Sequence, residues 1–400
     1  MRTRAGSVVL LLLLLAGCSG GATAPKGDAL VVVSAPITSS PWIGDWMTKG
    51  AQLAAAEVNA GSGRHLKVQV VDNGGSAQTV VQQARAAVAD GAVALVIDGI
   101  GAKAVAAVTD PVQLPVFIVF EGGASLTDPA TMPTLFRLAP ANTDLCRRLA
   151  DYLADVRRGA TVALISDDSS YGVEGEANAK SDLVHDELKV SSEQTIATGA
   201  RDVSAQVLAA RRSGATVLVV WARAAVLAAV IRTARNSGWA VPIYTGPEGE
   251  DPLVRQRLAD HPAWLDGTVF VSFRITSEVG GAPFAAYRRK FEQTFGPTTF
   301  NVRSGGVLVQ QPPDWSMYPF DALKLVAEAL DRGKTISAQT VYTGIQQIVI
   351  TGANGDERGF GPQDREGVSP DDMYFAAFKD MTFVPKLDDI LSTTLPLVPQ

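Results

Sequence analysis

Short, nearly continuous apolar runs alternate along this chain with stretches in which apolar residues return every three or four positions. The runs Leu30–Ala35, Leu66–Val71, Val93–Ile97 and Val116–Phe120 form one series; Thr161–Ser166, Val190–Ile196, Val217–Trp221 and Pro242–Thr245 form a second. The Val, Ile and Leu content of most of these runs predicts parallel strands buried on both faces. Between them, Met47, Ala51, Ala54 and Val58 share one helical face, as do Val81, Ala84 and Val88, and again Leu145, Leu149, Tyr152 and Val156. Strand–helix alternation at this spacing means βαβ units. Two such series predict an α/β protein of two doubly wound, Rossmann-like lobes.

Beyond Thr268 the pattern changes. A strand at Thr268–Arg274 and a helix at Pro283–Phe295 lead into an irregular stretch, Gly296–Trp315, expected to cover part of any cleft between the lobes. Helices follow at Tyr318–Arg332 and Ser337–Gln347, and short strands with Gly-rich turns fill Ile348–Lys386.

The first residues set the compartment. Arg2 and Arg4 precede an apolar run, Val8–Leu15, and Leu15-Ala16-Gly17-Cys18 forms a small-residue cleavage site, the layout of a secretory signal. The run is well short of the roughly 20 residues a spanning helix needs. Leu-Ala-Gly-Cys resembles the bacterial lipobox, which implies that residues 1–17 are removed and that Cys18 carries lipid. Residues 18–28, rich in Gly, Ser and Pro, read as a tether. The chain has 35 Lys and Arg against 41 Asp and Glu, a net −6; loss of Arg2 and Arg4 leaves −8. A mildly acidic surface argues against nucleic acid as a partner. Only Cys146 accompanies Cys18, so no internal disulfide can staple the fold, and 46% hydrophobic residues must build its core.

Open parallel sheets bind ligands beyond the carboxyl ends of their strands. In the first series those loops are Ser34–Ser40, Asp98-Gly99-Ile100-Gly101-Ala102 and Glu121-Gly122-Gly123-Ala124-Ser125. In the second they are Asp167-Asp168-Ser169-Ser170-Tyr171-Gly172, Trp221-Ala222-Arg223 and Gly246-Pro247-Glu248-Gly249. Gly122 and Gly123 would leave backbone amides open to an anionic group, and Glu248 would accept hydrogen bonds from a ligand ammonium. Tyr171 and Trp221 would wall an apolar part of the ligand, although Trp221 serves equally as core. Asp167, Asp168 and Ser169 read equally as helix caps. Asp251-Pro252 reads as an N-cap with proline at the first helical position, which leaves Asp251 out of the site.

These residues carry a family pattern. Gly44-Asp45, Gly50-Ala51-Gln52-Leu53-Ala54 and Glu57-Val58-Asn59-Ala60, then Val71-Asp72-Asn73, then Ile165–Gly172, and finally Arg232–Gly238 leading to Gly246-Pro247-Glu248-Gly249, occur in order. Over residues 29 to 380 the chain resembles the type I periplasmic binding proteins, specifically the Leu/Ile/Val-binding branch of ABC-importer receptors. The resemblance implies three crossovers, near Ala139–Thr143, Phe273–Glu278 and Ile350–Asn354. It places lobe 1 at 29–141 and 275–350, lobe 2 at 142–274 and 351–386, and a C-terminal tail at 387–400. It also implies that Tyr171 and Glu248 face the ligand, with Glu248 taking its α-ammonium, and that Phe320 forms an aromatic wall. Where the family presents Ser or Thr hydroxyls to a ligand carboxylate, this chain has Gly101-Ala102-Lys103 and Glu121-Gly122-Gly123. Backbone amides of Gly101, Ala102, Gly122 and Gly123 would remain as donors. Glu121 would repel a carboxylate, and Arg223 would supply a replacement positive donor.

Catalysis is poorly supplied. His65, His185 and His261, expected in a turn, a helix and a helix end, show no ligand-like spacing, Gly99-Ile100-Gly101 lacks the rest of a dinucleotide site, and no CxxC, HExxH, P-loop or GxSxG occurs. Cys146, among Leu145 and Leu149, reads as a buried inert thiol. The expectation is therefore a monomeric, extracytoplasmic lipoprotein without cofactor or metal. It would capture an amino acid or a related amide or amine and deliver it to an ABC permease. A ligand-sensing or structural lipoprotein of the same fold is the alternative.

Overall fold

A computed structural model describes residues 27–61, 64–273, 281–302, 308–386 and 388. The leader, Cys18, nearly all of the tether, the middle crossover after Phe273 and the C-terminal tail apart from Asp388 lie outside the described residues.

The first sheet has five parallel strands, β1 (Asp28–Ala35), β2 (His65–Asp72), β3 (Ala94–Ile97), β4 (Val116–Ile118) and β5 (Leu135–Arg137), in the order β2-β1-β3-β4-β5. Helices α1 (Pro41–Asn59), α2 (Ala77–Ala89) and α3 (Ala102–Thr109) connect them. The apolar runs fall where burial demands them: all four residues of β3 are buried, whereas β2, at the edge, exposes alternate positions.

The second sheet opens with α4 (Asn142–Val156) and continues through β6 (Thr161–Asp167), α5 (Ser170–His185), β7 (Lys189–Ile196), α6 (Ser204–Arg212), β8 (Val217–Trp221), α7 (Ala224–Asn236), β9 (Ile243–Thr245), α8 (Pro252–Arg257) and β10 (Val269–Phe273). The chain then forms α9 (Gly281–Phe295), a hairpin of β11 (Thr299–Asn301) and β12 (Leu308–Gln310), α10 (Met317–Arg332) and α11 (Ala338–Ile345). Helices α9 and α10 pack on α1, so this segment has returned to the first lobe. A short hairpin, β13 (Val349–Thr351) with β14 (Glu357–Gly359), precedes β15 (Met373–Lys379) and β16 (Thr382–Lys386), which add antiparallel to β10 and close the seven-stranded order β16-β15-β10-β9-β8-β6-β7.

Two features depart from the sequence expectation. Gly296–Trp315 is not irregular throughout: it contains the β11–β12 hairpin, whose Val309, with the adjoining Val302, packs into the core of the second lobe, and it ends at Trp315, which lines the cleft. Arg255 anchors it by donating to the Gln310 carbonyl at 2.9 Å, with its guanidinium 4.6 Å from the Phe300 ring centre. His65 lies at the start of a strand rather than in a turn. The return to the second lobe is stapled by Arg358, whose side chain is 1% exposed and lies 3.3 Å from Asp321 of α10 and 2.9 Å from Asp372. Cys146 is wholly buried, and burial pushes its thiol well above the ordinary range.

Candidate ligand-binding cleft

Both sheets end towards a common gap. On the first lobe, the backbone N–H of Glu121 donates to the Asp98 carbonyl at 2.8 Å, binding together the loops after β3 and β4. Gly99 makes this possible: its φ is +127°, and a Cβ there would fall 2.3 Å from the Glu121 Cβ. On the second lobe Asp167 ties the loops, accepting from the Arg223 N–H at 2.6 Å and the Ser169 N–H at 3.2 Å. Its carboxylate is therefore structural.

Arg223 spans the gap. It donates from Nη1 to Glu248 Oε1 at 2.9 Å on its own lobe, and from Nη2 to Glu121 Oε1 at 3.0 Å on the other. Its guanidinium lies 4.8 Å from the centre of the Tyr171 ring. Glu248 Oε2 accepts from the Ala224 N–H at 2.9 Å, at the start of α7. Burial alone would weaken the charge on Arg223, but the two carboxylates more than restore it and the group stays protonated. Burial raises the Glu248 carboxyl, with Arg223 acting in the opposite direction. The expected ammonium acceptor thus has both oxygens engaged by the protein itself. A ligand ammonium can reach Glu248 only by displacing or sharing that guanidinium.

The bridge divides the cleft into two connected chambers that share Phe120, Glu121, Arg223, Glu248 and Asp251. The narrower, about 420 Å³ of empty space including what opens to solvent, is backed by Trp42, Tyr171, Trp315, Asn142 and Gly122. Trp42, Phe120 and Trp315 form an aromatic corner, with Phe120 and Trp315 ring centres 4.8 Å apart. The wider chamber, about 820 Å³ on the same basis, is walled by Ser39, Ser40, Asp98 and Ile100 on one side and by Ala225 and Leu253 on the other. Burial, with Glu121 nearby, lifts the Asp98 carboxyl to about 6 against the Ile100 N–H that stabilises its charge. Burial and Glu248 lift Asp251 to about 7. Among the described residues, no three His, Cys, Asp or Glu side chains converge as metal ligands.

Of the residues expected at the site, Glu248, Tyr171, Arg223 and Gly122 do line the cleft. The others lie elsewhere. Gly101 and Ala102 start α3 against Ala77, and Gly123 gives its carbonyl to Arg137 at 2.6 Å. Trp221, 1% exposed, lies beneath Tyr171 with ring centres 5.8 Å apart, fitted against α5 because Gly175 has no Cβ to fill its place. Phe320 packs edge-on to Tyr287 at 5.1 Å. Asp251 combines two roles: it caps α8, accepting from the Leu253 N–H at 2.7 Å, and faces both chambers. The aromatic corner escaped sequence reasoning because its members come from three distant segments; the position of Phe120 at the end of a strand, and that of Trp315 in a stretch expected over the cleft, were the signals.

Against known proteins, the profile of the family described as periplasmic binding protein matches residues 34–382. No curated protein sequence matches the chain. Among solved structures, a periplasmic binding protein type 1 from Bordetella pertussis Tohama I superposes with a TM-score of 0.72 at 19% identity, covering 93% of this chain and 99% of that one. A substrate-binding protein of an ABC transporter from Desulfitobacterium hafniense, in complex with Leu, gives 0.73 at 18% identity over 90% and 100%. A branched-chain amino acid transporter substrate-binding protein from Streptococcus pneumoniae, in complex with isoleucine, gives 0.74 at 16% over 93% and 99%.

Proposed function

Because this chain belongs to the periplasmic binding protein family, we propose that it captures a small polar solute, an amino acid or a related amide or amine, between its lobes and delivers it to an ABC importer. Members of this family bind small molecules and work with ABC transporters, and membership implies an extracytoplasmic location. The observation that carries the reading is the cleft itself: loops from the carboxyl ends of both sheets enclose one gap lined by charged and aromatic side chains. Capture requires closure and expulsion of water rather than chemistry, so the protein acts as a binder and not as an enzyme. Lipid on Cys18 would hold this monomeric body beside its permease, the structural relatives in complex with Leu and isoleucine being the basis for an amino-acid-like ligand.

The Arg223 bridge favours a second reading, a sensing or structural lipoprotein of the same fold, since it joins the lobes from within. A thermal-shift screen of the purified protein against amino acids, amides and amines separates the two. A ligand at a hundredfold its Kd stabilises by about 2.7 kcal/mol, or several degrees for a protein of this size. At least one compound is expected to do so. A flat response across the panel contradicts capture.

A further inference from the structure

The walls of the cleft are not those of a site for a zwitterion. Among the described residues, four carboxylates, Asp98, Glu121, Glu248 and Asp251, face the wider chamber, and a single cation, Arg223, faces them. That cation is already shared between Glu121 and Glu248. Hydroxyls near the chamber come from Ser39 and Ser40, but a ligand carboxylate placed among them would meet Asp98 and Glu121. The cleft already holds one organic cation in good geometry, its own guanidinium, between two carboxylates and over the face of Tyr171. Next to it, the Trp42, Phe120 and Trp315 corner offers apolar and π surface. The Tyr171 ring stands on the same wall, with its hydroxyl buried behind it against Gly246. The carboxylates are spread along the walls rather than gathered around a point, which suits an extended organic cation better than a metal ion.

We infer that the solute is a small organic cation without a carboxylate, an amine or quaternary ammonium. Its charged nitrogen lies among Asp98, Glu121 and Asp251, and its carbon skeleton runs towards the aromatic corner. This rests on the reading of the protein as a solute binder. It assigns Asp98 and Asp251, one on each wall of the wider chamber, as the residues that set specificity by charge. Raised carboxyls are consistent with it, because an entering cation restores the ionised form that burial disfavours.

Dose-dependent thermal shift and calorimetric titration of the purified protein with putrescine, choline, leucine and glutamate test the inference. Putrescine or choline is expected to stabilise the protein while leucine and glutamate do not. Stabilisation by leucine or glutamate with no response to the amines overturns the cation assignment and leaves solute capture standing. Silence from all four, together with a flat response across the broad screen, overturns both. Localisation is tested with Asp98→Asn and Asp251→Asn, which keep side-chain size and, at 251, helix-capping ability. Each is expected to weaken the amine at least tenfold while the protein without amine melts no lower. Undiminished affinity in both variants would place the cation elsewhere and overturn the assignment.

Discussion

Arg223 determines what this cleft can accept, and it does so through three contacts that no local pattern announces. Its partners are 25 and 102 positions away along the chain. The sequence identified Arg223 as a positive group near the ligand and Glu121 as a repulsive one; that they neutralise each other across the gap is a property of the assembled sheets. Arg223→Ala leaves Glu248, 9% exposed, without its countercharge. Its cost, tempered because Arg223 itself is 31% exposed, is expected at about 1–3 kcal/mol in chemical denaturation. Unchanged stability would mean the bridge contributes nothing. The buried acids add a pH dependence. In the unfolded chain Asp98 and Asp251 titrate near 3.8, whereas folding raises them to about 6 and about 7. The folded state therefore binds more protons in that interval, and these two groups make it most stable below about 4, with stability lost as pH rises through 6 to 7. The charged groups facing Asp98 include Glu121; those facing Asp251 are Glu248, Arg255 and Arg223. The double variant Asp98→Asn, Asp251→Asn should flatten the fall in Tm between about pH 4 and 7; an unaltered slope would assign the effect to other groups.

At the scale of elements, burial patterns made the sheets readable. Strands covered on both faces must be continuously apolar, as β3 and β8 are. The expected runs also lie in or around the other strands from β1 to β9 except β5. Of these, β2 and β7, expected to be buried on both faces, are edge strands that carry polar residues and stay exposed or half-buried along most of their length. The three-residue β5 and the β11–β12 hairpin lack the apolar run that marked the equally short β4 and β9, so neither was legible. Loop placement at strand ends was legible; side-chain direction within those loops was not, which is why Gly101 and Ala102 turned inwards to α3 and Asp251 outwards to the cleft. The staple on the third passage between lobes makes a sharp prediction. Arg358→Ala strands the buried Asp321 carboxyl, raised to about 6 by burial even with Arg358 present, and should cost about 3–5 kcal/mol. A loss below about 1 kcal/mol in urea unfolding would show that water reaches the pair.

At the scale of the molecule, the chain passes repeatedly between two sheets, and contacts that span the gap hold the two lobes together. Besides Arg223, the Trp315 indole donates to Glu250 at 3.2 Å and the Ala124 N–H to Glu174 at 2.7 Å, so closure is supported by polar links around an acidic interior. A solute that binds both walls must protect both. Amide hydrogen exchange, with and without the compound of the screen that stabilises the protein most, measures this directly. Added protection is expected together at residues 98–101 and 121–124 of the first lobe and 246–253 of the second. Protection confined to one lobe, or slowed exchange at neither, would contradict capture between them.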